Sequence, residues 1–189
     1  MTQDSDTLAG RLEATEAQLR ALTKRLQVLE ARSSISDTIL RFARGLDRLD
    51  RVVMISAFHP DATVDFGTMF NGSVDDFIDF TMKFQRPDIP VQHLIGNISI
   101  KLLDDKTAVA ESYELARHPA PPDVEGDMIL ATRLLDRFEC RDGQWRIASR
   151  TKVGDWARIH HGANPMFEKL PLQKAKRNQN DPSYALFEE

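Results

Sequence analysis

"VQHLIGNISIKLL", residues 91–103, is where the period of the apolar residues changes. Upstream, apolar side chains recur every three or four residues, as on helices. From here on they alternate or gather in β-branched runs, as on strands. "TAVAESYELARH" (107–118), "DMILATRLLDRFEC" (127–140) and "QWRIASRTKVGDWARI" (144–159) continue the strand pattern. "LDD" and Asp142-Gly143 supply two tight turns, the second a strong hairpin signal. The proline-rich "HPAPPDVEGD" separates the middle two strands. Helices followed by a meander of long antiparallel strands predict an α+β domain, a curved sheet wrapped around helices.

Upstream of the switch, Ile35, Ile39, Phe42, Leu46 and Leu49 form the apolar stripe of a helix running to about Asp50. "RVVMISAF" (51–58) reads as a short helix stopped before Pro60, "ATVDF" as a brief strand, and "SVDDFIDFTMKF" as a helix capped by Ser73. Further upstream, Leu8, Leu12, Thr15, Leu19, Leu22, Leu26 and Leu29 alternate by four and three, a heptad seam with one polar member. Arg11, Glu16, Arg25 and Glu30 flank it, as in a coiled coil. The seam reads either as a helix lying on its own domain or as an oligomerising coil, and leucine at both seam positions leaves the strand number open. A break is expected at Ser33-Ser34.

The chain has 189 residues, 41% hydrophobic and 29% charged, with a formal charge of −4. That is enough for one full core plus an appendage. It disfavours a nucleic-acid binder, and the basic "KLPLQKAKR" reads as a solvated patch. No apolar run approaches the roughly 20 residues of a membrane helix. The first residues lack the pattern of a signal peptide, and Cys140 has no second cysteine to pair with, so the cytoplasm is the expected compartment.

Candidate chemistry starts on the helix ending at Asp50. Asp37, Arg41, Arg44 and Arg48 share its wet side, but Asp47 projects between Leu40 and Ala43, on the flank of the apolar stripe. A carboxylate there is costly unless it is paired or faces a cavity; the plainer reading is a fraying helix end. Histidine is its natural partner, being able to act as a base near neutral pH. His93 opens the first long strand and His118 ends the next, on a face of small residues: Ala108, Ala110, Ser112 and Ala116. Strict alternation groups His93 with Ile95 and Asn97, unless Gly96 marks a bulge that changes the parity. His59 reads as structural, and His160 and His161 as exposed. There is no HxH, HxxxH or CxxC for a metal, no glycine-rich phosphate loop and no GxSxG elbow. Neither metal nor organic cofactor is expected.

"ISDTILRFARGLDRLDRVVMISAFHPDATVDFG", "HLIGNISIKL", "TAVAESYELARH" and "DRFECRDGQWRIASRTKVGDW" together resemble the SnoaL-like branch of the nuclear transport factor 2-like superfamily, over about residues 34–158. The resemblance implies a cone-shaped α+β barrel, a bent antiparallel sheet closed by helices around a pocket. In the scytalone dehydratases, hexachlorocyclohexane dehydrochlorinases and bile-acid dehydratases of that branch, an Asp near the end of the first barrel helix pairs with a His on the first long strand. Those positions fall on Asp47 and His93, and His118 is placed like a second pocket histidine. Phe42 stands where the bile-acid dehydratases have a tyrosine, so that phenol is missing. With Leu46, Asn97 and Arg133, Phe42 completes the candidate pocket.

The expected organisation is therefore a heptad helix over residues 1–33, the barrel over 34–158 and a mostly irregular extension over 159–189. Met166, Phe167, Leu170 and Leu172 would be its apolar anchors, over the pocket mouth or in a loose tail. The expected function is that of a lyase, isomerase or cyclase using the Asp47–His93 dyad on a mid-sized apolar substrate such as a polyketide, steroid or terpenoid. A non-catalytic binding or scaffold module is the alternative. Assembly into a homo-oligomer is expected, a trimer before a dimer.

Overall fold

The computed structural model describes residues 2–121, 123–162, 169 and 171–187. Met166, Phe167 and Leu170 lie outside the described residues; Leu172 is exposed. Backbone contacts divide the chain into two compact units, residues 1–34 and 35–189.

The first unit consists of helix, part of α1 (Thr2–Arg48), and its seam leucines are exposed. No break occurs at Ser33-Ser34, where the helix is continuous. Serine costs a helix interior only about half a kcal/mol relative to alanine, too little to end a helix that meets neither proline nor glycine there.

In the second unit, α1 is followed by α2 (Arg51–Ile55), β1 (Phe58–Asp65), β2 (Asn71–Ser73) and α3 (Val74–Phe84). Four long strands come next: β3 (Gln92–Leu102), β4 (Thr107–Pro119), β5 (Gly126–Arg141) and β6 (Gln144–His161). A short α4 (Pro182–Leu186) ends the described chain. Among the described residues, six strands form one curled sheet in the order β2-β1-β6-β5-β4-β3. β3 to β6 are the expected antiparallel meander, while β1 joins β6 in parallel. The sheet does not close on itself; β2 and β3 are its edges.

Helix ends and turns follow from local chemistry. α1 stops in a left-handed turn at Leu49 (φ 51°), where the Leu49 N–H donates to Leu46 O and the Asp50 N–H to Gly45 O. Asp50 then caps α2 by accepting from Val53 N–H at 3.1 Å. Gly45 is required by packing: a Cβ there would meet the Met54 backbone nitrogen at 2.8 Å. Asp142 and Gly143 both have positive φ, as the β5–β6 hairpin needs. β1 begins earlier than expected and takes in His59 and Pro60; His59 is buried, its Nε2 2.9 Å from Glu139 O.

The core lies between the sheet and the helices. Ile35, Ile39, Phe42 and Leu46 are buried from α1, Phe77 and Ile78 from α3, and Leu134, Phe138 and Ile147 from the sheet. Phe42 stacks edge-on against Phe58 and face-wise against Phe77. Inside this core sits an ion pair, Arg150 to Asp136 through two bonds of 2.7 Å, with both side chains fully buried. The Arg150 guanidinium lies 4.6 Å from the Phe42 ring centre. Among the described residues, no helix is long and apolar enough to cross a membrane.

Candidate active site

Asp47 is held in the last turn of α1, and His93 opens β3. The His93 ring Nδ1 lies 2.7 Å from Asp47 Oδ1, and the His93 backbone N–H donates to the same oxygen at 3.1 Å. A carboxylate only accepts, so the ring proton belongs on Nδ1 and a neutral imidazole presents a basic Nε2. The Asp47 side chain is 16% exposed and that of His93 3%.

The Nε2 edge faces a second carboxylate. Glu114 of β4 places Oε1 3.9 Å from His93 Nε2, and its Oε2 lies 2.6 Å from Lys152 Nζ on β6. Thr132 of β5 donates to the same Oε2 at 2.8 Å. Burial alone would raise the Glu114 pKa, but Lys152, His93 and the Thr132 bond outweigh it and hold it at about 2. The carboxylate is thus a fixed negative charge. His118 stands edge-on to His93, ring centres 5.1 Å apart. Burial, followed by the nearby charges of His93 and Lys152, lowers its pKa to about 3. His118 is therefore neutral at pH 7, able to offer a neutral N–H but not to act as an imidazolium acid.

The strands explain this convergence. Ala108, Ala110, Ser112, Glu114 and Ala116 share the buried face of β4, so the small-residue face does point inward and Glu114 lies on it. A bulge between Gly96 and Ser99, with Asn97 at φ 48°, shifts the β3 register. Beyond it Ile98, Ile100 and Leu102 take over the more buried positions.

Two expected pocket residues are not brought to the dyad. Asn97 is exposed at the bulge, where asparagine is among the few side chains that tolerate a left-handed backbone. Arg133 takes the opposite strand parity to the buried Thr132 and Leu134, and pairs with Glu111 at 2.8 Å and Asp155 at 3.1 Å. Phe42 is buried under Arg150. The Leu46 side chain is buried beside the dyad's helix turn. His160 and His161 are exposed, as expected.

Alternation did not reveal the contribution of the C-terminal segment. Arg177 is buried and donates to Leu46 O at 2.6 Å, Arg86 O at 2.8 Å and Asp47 O at 3.3 Å. It thereby gives the Asp47 carbonyl a donor and adds a second one to the Leu46 carbonyl, which already accepts from the Leu49 N–H. Nearby, Arg48 meets Asp181 at 3.1 Å, and Tyr184 donates to Asp50 at 2.5 Å. Asp50 is thus a cap and an anchor rather than a member of the dyad cluster.

A cleft of about 660 Å³ opens beside the dyad. Asp47 lines it directly, with Val91 and Gln92 next to His93, Arg117 and Pro119 on either side of His118, and Ala175 of the tail segment. This volume suits a drug-sized molecule. Among the described residues, no group of three or more His, Cys, Asp or Glu is arranged to hold a metal ion.

A family model described as the SnoaL-like domain matches residues 27–151. Among solved structures, a candidate scytalone dehydratase from Novosphingobium aromaticivorans shares 21% identity at a TM-score of 0.63, over 72% of this chain and 92% of that one. A hexachlorocyclohexane dehydrochlorinase from Novosphingobium barchaimii shares 15% identity at a TM-score of 0.67, over 75% and 99%. No curated protein matches the sequence. At these identities the structural likeness establishes the fold.

Proposed function

Because this chain belongs to the SnoaL-like family of the nuclear transport factor 2-like superfamily, we propose that it is a cofactor-independent lyase or isomerase whose base is His93. The observation that carries this reading is the 2.7 Å contact between His93 Nδ1 and Asp47, with the free Nε2 turned toward a charged, enclosed group of side chains. His93 Nε2 takes a proton from a carbon next to a carbonyl or β to a leaving group. The electron pair of that C–H bond forms the new double bond, and the leaving group departs with its own pair. The imidazolium so formed lies between the carboxylates of Asp47 and Glu114, which stabilise it. Positioned acid–base groups of this kind supply about 10²–10⁴-fold each.

Help for the leaving group comes from Lys152, the one ammonium in the cluster among the described residues, or from the neutral N–H of His118. The absence of a phenol near Phe42 fits this assignment: Tyr113 is exposed on the outer sheet face and Tyr184 is engaged by Asp50. The cleft volume suits a mid-sized substrate of polyketide, steroid or terpenoid size, with Ile89, Pro90 and Val91 offering its apolar body a surface and Arg48, Asp88, Arg117 and Asp127 facing its polar groups. The same reading includes assembly of copies, a trimer before a dimer, through the outer sheet face, where Leu94, Tyr113, Leu115 and Trp156 are exposed. Sedimentation equilibrium counts the copies.

One observation favours a second reading, a binding module without turnover: the His93 side chain is only 3% exposed. The two readings separate in D2O. A panel of carbonyl compounds with acidic α-protons is incubated with the protein and deuterium uptake is read by mass spectrometry. The lyase reading expects uptake by at least one compound and its loss in His93→Ala. Uptake that persists in His93→Ala, or binding with no uptake across the panel, overturns it.

A further inference from the structure

The leucine seam of α1 is a face in search of a partner. Leu8, Leu12, Leu19, Leu22, Leu26 and Leu29 are each more than half exposed, from 55% at Leu26 to 66% at Leu8. Removing such a stripe from water is favourable in proportion to its apolar area, and a contiguous exposed stripe marks an interaction surface. Its only polar member does not oppose burial: the Thr15 hydroxyl already donates to Arg11 O at 2.8 Å.

The occupant follows from the charges beside the seam. The alternation of four and three puts Leu12, Leu19 and Leu26 at heptad position a, and Leu8, Thr15, Leu22 and Leu29 at d. Arg11, Gln18 and Arg25 then fall at g, and Glu16, Thr23 and Glu30 at e. In a parallel, in-register pair each g residue faces the e residue five places later in the other helix. Arg11 meets Glu16 of the second copy, Arg25 meets Glu30, and Gln18 meets Thr23, so every charged pair is attractive. An antiparallel pair sets g against g and e against e, which opposes arginine to arginine and glutamate to glutamate. In the single chain Glu16 makes a loose, exposed 3.6 Å contact with Arg20, which costs little to give up.

We infer that residues 8–30 form a parallel, in-register coiled coil with the same segment of another copy of this chain. Neither the fold of the second unit nor the chemistry of the cleft requires this contact, and it holds whether or not copies also meet through the sheet.

The full-length protein tests it by cross-linking. In a Cys140→Ser background, Leu8→Cys and Leu29→Cys each place a thiol at d, where like positions meet only in a parallel, in-register coil. Each variant alone is expected to form disulfide-linked dimers under mild oxidation at micromolar concentration. Absence of like-with-like cross-links at both positions overturns the inference. So does preferential 8-to-29 cross-linking when the two variants are mixed. Charge reversal gives a second readout. Added to Leu29→Cys, R11E/R25E inverts all the charged pairs and is expected to slow cross-linking by about tenfold or more, exposed pairs being individually weak. Mixing with a partner carrying E16R/E30R and the same cysteine is expected to restore the rate. A rate unchanged by R11E/R25E overturns the parallel register.

Discussion

His93 meets Asp47 twice, through its ring nitrogen at 2.7 Å and through its own backbone N–H at 3.1 Å. One carboxylate thus sets both the tautomer of the imidazole and the position of the strand that carries it. Asp47→Asn keeps an acceptor for the backbone N–H but no longer stabilises an imidazolium. It is expected to lower turnover by about 10²–10⁴-fold with little change in the urea midpoint. Asp47→Ala also leaves the backbone donor without its partner, and is expected to cost about 1–3 kcal/mol of stability as well. Equal stability losses in the two variants would separate the ring contact from the backbone contact wrongly, and urea titration compares them directly.

The Asp136–Arg150 pair predicts a large penalty for a single substitution. Both side chains are fully buried, so Asp136→Ala leaves an uncompensated guanidinium in the core and is expected to cost about 3–5 kcal/mol. Replacing both members by leucine and methionine is expected to cost much less, because the charge and its desolvation go together. Denaturant midpoints of the single and double variants decide the point.

His118 predicts an acid-sensitive fold. Its pKa is lowered from 6.5 to about 3 in the folded protein, chiefly by burial, so the unfolded chain binds a proton that the folded chain refuses. The contribution to stability is fully present above pH 6.5 and is lost as pH falls toward 3. Its slope is at most about 1.4 kcal/mol per pH unit. Urea midpoints measured from pH 7 to pH 5 are expected to fall less steeply in His118→Leu than in the parent. Parallel curves would remove His118 as the cause.

Arg177 predicts a local effect at a distance in sequence. Arg177→Met withdraws donors from the carbonyls of Leu46, Asp47 and Arg86. Hydrogen exchange at residues 43–50 is expected to quicken, with a loss of about 1–3 kcal/mol. Arg177→Lys is expected to rescue only in part, because one ammonium cannot reproduce the planar fork that reaches three carbonyls.

The sequence made the dyad legible because Asp47 broke a clear helical stripe and His93 stood on a strand whose neighbours repeated a known family's phrases. Glu114 and Lys152 were less visible, since charges on strands are ordinarily read as the solvent face. A signal existed for Glu114, which shares its parity with Ala110, Ser112 and Ala116. Asp136 likewise alternates with Leu134 and Phe138. On β5 both parities carry large apolar residues, so alternation alone cannot tell which face is inward; the structure puts Arg133 on the face opposite the buried Thr132 and Leu134. Asn97 fell to the bulge, whose shift becomes definite only when β3 pairs with β4. Arg177 left no periodic trace, because a helix clasp is a single contact between segments 130 residues apart.

That last separation bears on how the molecule is made. A ribosome releases Asp47 early and Arg177 only after every strand of the sheet has emerged. The nascent chain therefore passes through a stage in which the sheet can assemble while the end of α1 is still unclasped. Completion of the cleft wall thus waits on a segment made after the whole sheet, and a chain cut short of Arg177 would be a folded shell with an unfinished mouth.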